Sequence, residues 1–341
     1  MRFSRPVVRA STATLLGVLA ACGTASQGEA PPGGTRAAAA VVPRVQPGRQ
    51  VAVTFDDLPA IAQGDRSLAT YERITDRLLR TLAEHRVPAI GFVNEEKLVT
   101  DGQVDPHKVA TLRRWVDAGL ELGNHGYSHR DLHSVPVDEW IADVARGDSV
   151  TRLVMQAAGR QPRFFRHPFL RAGRTLDDRR RVEAFLAHDG YRVAPVTIDN
   201  GEYLFAAAYD LAPDDETRRR VADEYVTYME AVTAYYEQQS TALFGREIRQ
   251  VLLLHANNIN ADHFGRLAEM YLRRGYAFIS LQEALEDPAY ASPDTYTGPA
   301  GITWLHRWAL TQGKRGAFFA GEPTVADWVE ALSRRPADSR Y

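Results

Sequence analysis

Beyond residue 50 the chain repeats one pattern: a short apolar run rich in β-branched residues, then a stretch with helical periodicity. That alternation leaves few folds open. Strands separated by helices run parallel, so the units predict an α/β protein with a mostly parallel sheet, open or closed into a barrel. The first run, Val51 to Phe55, ends in Asp56 and Asp57. Later runs at 89–93, 120–124, 164–165, 191–198, 251–254 and 276–279 complete the strand set. Five of the seven end in residues able to do chemistry: Asp56/Asp57, His125, Arg166, Asp199 and His255. In a barrel of this kind the C-terminal strand ends share one face, where active sites are built.

Helices are expected between the strands. One spans 67–86 behind the cap residue Ser67, with Leu68, Tyr71, Leu78, Leu79 and Leu82 on its apolar face. Another starts at Asp105-Pro106 and stops at Gly119; a third runs unbroken from about 137 to 158. Further helices are expected over 176–188, 261–274 and 281–285. The rhythm breaks between about 202 and 247, a long polar stretch carrying Tyr225, Tyr228, Tyr235 and Tyr236. It reads as one or two inserted helices whose tyrosines pack. After residue 290, Trp304, Trp308, Phe318, Phe319 and Trp328 make the chain too aromatic for a disordered tail. An appendage of short helices packed on the barrel is expected over 291–341.

The N-terminus reads differently. Arg2, Arg5 and Arg9 precede a short apolar run that ends in small residues, the pattern of an export signal over 1–21. The sole cysteine, Cys22, follows Leu19-Ala20-Ala21, which resembles a bacterial lipobox. The expectation is cleavage before Cys22, a lipid on its sulfur, and a tether over 22–49 rich in Ala, Gly and Pro. The protein would then sit in the cell envelope, held at a membrane by that anchor. A net charge of −2 lacks the basic excess that nucleic-acid binding needs.

The strand-end residues suggest a reaction. His125 and His129 are four apart, so a helical turn brings their imidazoles together. With one carboxylate they form a His-His-Asp set, which suits zinc and leaves a position for water; cobalt, nickel or iron fit the same donors. A second carboxylate takes a proton, and His255 returns one to a leaving group. That is a complete set for hydrolysing an amide or ester.

Thr54-Phe55-Asp56-Asp57, His125 to His129, Arg166-His167-Pro168-Phe169, Asp199 and Leu253-Leu254-His255 resemble, in order, the motifs of the polysaccharide deacetylases with a NodB-type domain, carbohydrate esterase family 4. The resemblance spans about 50–285, within a barrel domain expected over 50–290. It implies a distorted (β/α) barrel, here with a helical insertion and a C-terminal appendage, and removal of N- or O-acetyl groups from a glycan. It implies that Asp57, His125 and His129 bind a divalent metal, with zinc first and cobalt or nickel as alternatives. By the same resemblance Asp56 is the base, Arg166 tunes it, His255 is the acid and Asp199 holds His255. Leu253 lines the pocket for the acetyl methyl, and Phe169 belongs to the substrate site. The chain departs from the family pattern at three points: Gly126 after the first histidine, Leu170-Arg171 after the arginine motif, and Asn200 to Tyr203 where a groove tryptophan is usual. Tyr203 is the candidate to replace that wall. Two other readings use the same residues: a hydrolase of this fold acting on a non-glycan amide, and a non-catalytic carbohydrate-binding module.

Overall fold

The structure, a computed structural model, describes residues 48–334. The export signal, Cys22 and the tether up to residue 47 lie outside the described residues. Nine strands are present among the described residues: β1 Arg49–Leu58, β2 Ile90–Val93, β3 Val99–Thr100, β4 Gln103–Val104, β5 Glu121–Asn124, β6 Phe164–Phe165, β7 Arg192–Val193, β8 Gln250–His255 and β9 Tyr276–Phe278. β3 and β4 form a separate antiparallel pair. The other seven form one parallel sheet in the order β7-β6-β5-β2-β1-β8, with β9 also on β1. The chain continues from β7 to Ile198, which bridges to Leu252 on β8. The two ends of the sheet are thereby joined, giving the distorted (β/α) barrel that the sequence implies.

The period-two alternation of β1 decides what enters the site. Val51, Val53 and Phe55 pack outward under the helices, with Phe55 edge-on to Trp115 and Phe264 at 5.8 and 5.6 Å. Ala52 faces the other way and clusters with Ile90, Phe92, Phe164, Ala194 and Val251. Thr54 and Asp56 continue that inner row towards the C-terminal mouth. Asp57 would next point outward, but its φ of 65° turns the backbone at the strand end. Full burial of each large apolar side chain stabilises by about 1.5–3 kcal/mol. With both faces covered, β1 is a firm base for the two carboxylates.

The helix expected unbroken over 137–158 is two helices, Val137–Arg146 and Ser149–Ala157. The break falls at Gly147, for a steric reason. A Cβ there would lie 2.4 Å from both Gly126 C and Tyr127 N. The helix end therefore abuts the backbone of the His125–His129 loop, and only glycine permits that approach. Residues 202–244 form helices Glu202–Leu211 and Asp215–Phe244. The C-terminal segment contributes helices Trp304–Thr311 and Asp327–Ser333, the latter packed along Glu202–Leu211.

Candidate active site and metal centre

Asp57, His125 and His129 meet at the mouth of the barrel. One ligand atom from each lies within 4.8 Å of the others. Asp57 Oδ1 is 3.8 Å from His125 Nε2 and 3.7 Å from His129 Nε2, and it is buried with no hydrogen-bond partner. His125 Nδ1 donates to the Arg166 carbonyl at 2.8 Å, which leaves Nε2 as the free lone pair. Burial pushes both His125 and His129 below the ordinary histidine value, so both rings are neutral. Burial alone would raise Asp57, but Lys97 and the two histidines outweigh it and hold the carboxyl well below the usual range. A carboxylate, two neutral imidazoles and an orphaned buried oxygen fit a divalent cation.

The loop between the two histidines is tied from outside. Asp143, on helix Val137–Arg146, accepts from the backbone N–H of Tyr127 at 3.0 Å and of Ser128 at 3.2 Å. It also accepts from the Ser128 hydroxyl. Gly126 has φ 78°, a conformation that side chains rarely adopt. With glycine after His125, the loop is thus steadied by a carboxylate anchored on a neighbouring helix.

Asp56 sits beside this trio, its Oδ2 3.7 Å from His125 Nε2. Arg166 is fully buried and reaches Asp56 Oδ2 at 3.5 Å. Its other nitrogen donates to Thr54 Oγ1 at 2.9 Å, and Thr54 in turn donates to the Leu252 carbonyl. Burial pushes Asp56 up to about 6 against the opposing pull of Arg166 and His255. On the adjacent strand, His255 is the in-register partner of Asp56. It keeps 18% of its side chain open to solvent.

Residues 44–186 match the polysaccharide deacetylase family. The matched stretch contains Asp56, Asp57, His125, His129 and Arg166, in the geometry just described. Residues 44–186 thus carry the polysaccharide deacetylase signature. A peptidoglycan-N-acetylglucosamine deacetylase of Bacillus cereus is 30% identical over 123 residues, covering 35% of this chain and 36% of that protein. The match thus spans little more than a third of that relative's length. Among solved structures, a peptidoglycan deacetylase from Bacillus subtilis is 19% identical with a TM-score of 0.43, covering 70% of this chain and 91% of that one. A CE4 family pseudoenzyme from Bacillus anthracis is 17% identical with a TM-score of 0.43, covering 70% and 66%.

The surroundings of His255 correct one assignment. Asp199 was expected to hold His255, but Glu202 does so, accepting at Oε2 from His255 Nδ1 at 2.7 Å. Glu202 is fully buried, and its Oε1 accepts from the amides of Asn257 and Asn260, the latter at 2.7 Å. Asp199 instead accepts from the Asn200 N–H, and burial pushes it up to about 6. Glu202 is the first residue of an inserted helix rather than a strand end, so the strand-end rule passed over it. Burial alone would lower His255, but Glu202 overrides it and pushes the imidazole up to about 9.

Other residues fall as follows. Leu253 is buried on β8. Phe169 is half exposed, with φ 55°, and lies edge-on to the His129 ring at 4.4 Å. Tyr203 is exposed and, with His255, Asn257 and Ser333, lines a cavity of about 370 Å³. Lys97 is an addition the sequence did not suggest: its ammonium lies 3.0 Å from the Asp57 carbonyl and 3.6 Å from Asp57 Oδ1. Glu95 is buried and caps helix Ser149–Ala157 through the N–H groups of Val150 and Thr151. Asn257, near His255, caps helix Asn258–Arg273.

Proposed function

We propose that this protein is a metal-dependent hydrolase that removes N- or O-acetyl groups from a polysaccharide of the cell envelope. The observation that carries this reading is the pairing of Asp56 with His255 across β1 and β8, beside the Asp57, His125 and His129 trio. Base and acid thus face one site from adjacent strands. A divalent cation held by the trio would polarise an acetyl carbonyl and lower the pKa of a bound water toward neutrality. Zinc suits two imidazoles and a carboxylate with an open position, and cobalt or nickel would serve the same donors.

The chain's own residues supply the rest. Asp56 takes the proton of the attacking water, and Arg166 fixes its orientation. His255, charged at neutral pH, gives its Nε2 proton to the departing sugar nitrogen or oxygen as the bond to the acetyl carbon breaks. Glu202 keeps Nδ1 protonated and the ring aimed. Leu253 and Phe169 offer apolar surface to the methyl, and Tyr203 forms an outer wall where a sugar ring can rest. The N-terminal sequence supports an exported protein anchored through Cys22. A Cys22→Ser chain should move from the membrane fraction to the soluble one.

The test is acetate release from a panel of acetylated glycans and chitooligosaccharides, with added Zn²⁺ or Co²⁺ and then with chelator. Release that stops on chelation is the expected result. No release from protein shown to hold metal would redirect the site to a non-glycan amide. No release and no bound metal would favour a carbohydrate-binding module.

A further inference from the structure

His167 follows Arg166 in the chain but serves a different part of the molecule. Its ring stacks on Trp140 at 5.6 Å, and its side chain also lines a cavity of about 470 Å³. None of the residues assigned to catalysis lines that cavity. Its walls come from helix Leu176–His188, from β7, and from the C-terminal segment.

The lining is strongly cationic. Arg179, Arg180, Arg192 and Arg307 meet there, against the two carboxylates of Glu183 and Asp294. Arg307 is 1% exposed and Arg179 5%. Asp294 lies 2.7 Å from Arg307 Nε and 3.3 Å from Arg179 Nη1; Arg179 also donates to the Asp294 and Tyr296 carbonyls, and Arg307 to the Leu170 carbonyl. Two guanidiniums buried on one carboxylate leave a positive charge out of water, which is costly. Arg179 Nε and His167 Nδ1 are also buried with no hydrogen-bond partner. An unmade buried hydrogen bond of this kind is costly. Burial, together with the guanidiniums of Arg307, Arg179 and Arg166, holds His167 down at about 3, so its ring is neutral.

Guanidiniums pair with carboxylate and phosphate oxygens through parallel N–H bonds. Trp304 and Trp308 supply an apolar wall beside them, with the Arg307 guanidinium 4.5 Å over the Trp304 ring. The volume falls within the range of about 300–1,000 Å³ typical of small-molecule sites.

We propose that this cavity binds a small oxyanion: a carboxylate or phosphate carried on a body about the size of one sugar ring. The anion would neutralise the excess arginine charge, and the carrier would pack on the indoles. The site is independent of the deacetylase reading, since no catalytic residue belongs to it.

The test is calorimetric titration of the full chain with glucuronate, glucose 6-phosphate and inorganic phosphate, with glucose as the neutral control. Saturable binding of at least one anion, at a dissociation constant of about 1 mM or tighter, with none for glucose, is expected. Glucuronate alone would identify a sugar acid; glucose 6-phosphate alone, a sugar phosphate; phosphate alone, the free ion. Each of these supports an oxyanion site. Arg180 and Arg192 are exposed, so Arg180→Gln with Arg192→Gln should fold, shown by an unchanged melting temperature, and weaken binding about tenfold. The ¹⁵N signals of His167 should move on saturation. Absence of saturable binding by every anion would overturn the proposal. So would binding equal to that of glucose, binding indifferent to the double variant, or binding abolished by a chelator, which would place the anion at the metal centre.

Discussion

The two halves of the active site are built by different means. The half that holds Asp56, Asp57, His125, His129 and Arg166 rises from strand ends of one parallel sheet and lies within the family match. The half that holds His255 depends on Glu202, Asn257 and Asn260, beyond the residues matched. Their electrostatics are opposed. Both histidines of the first half are pushed down and stay neutral, whereas His255 is pushed up to about 9. The two adjacent carboxylates also divide: Asp57 is held low by Lys97 and the histidines, and burial lifts Asp56 to about 6. Like residues take unlike roles because their neighbours differ.

Within the first half, metal holding and proton transfer separate when one group is removed from each. His125→Ala should lose stoichiometric metal, read by elemental analysis, and with it all acetate release. Asp56→Asn should keep its metal while hydrolysis falls by about 10²–10⁴-fold. If Asp56→Asn retains activity, Asp56 is not the base.

The second half is tested by Glu202→Gln, with metal content unchanged and kcat down by roughly 10²-fold. His255 raised to about 9 remains an acid below that pH and stops being one above it. Without the Glu202 charge, only Asp57 and Asp56 oppose burial, and the descending limb of the pH–rate profile should move to lower pH. Asp199→Asn should leave that limb nearly in place. The reverse pattern would return the holding role to Asp199.

Smaller effects probe what supports each half. Gly147→Ala puts a methyl against the Gly126–Tyr127 backbone and should weaken metal binding by about 10–100-fold, measured by competition with a chromophoric chelator. Tyr203→Ala should raise KM for longer oligosaccharides by roughly three- to tenfold and leave kcat alone.

How far each half was legible in the sequence follows from how it is built. Alternating strands and helices disclosed the sheet, and a strand end is a position that sequence can mark. Asp56, Asp57, His125, Arg166 and His255 were therefore visible. Ser67 and Asp105-Pro106 gave their helix starts because capping is local chemistry. Glu202 was not visible, because its role depends on how an inserted helix docks against β8, which no local period encodes. The break at Gly147 was hidden for the same reason: it answers to a backbone about twenty residues away in sequence. Lys97 and Glu95 lie in a short 3₁₀ turn, Glu95–Leu98, whose direction is set by tertiary packing.

The measurement that tests this account most directly is the ¹⁵N NMR spectrum of the histidine rings in metal-free protein at neutral pH. His255 should be the imidazolium, with both ring nitrogens protonated, while His125 and His129 are neutral and His125 carries its proton on Nδ1. A neutral His255, or a charged His125, would contradict the division of the site into a metal-holding half and a proton-donating half.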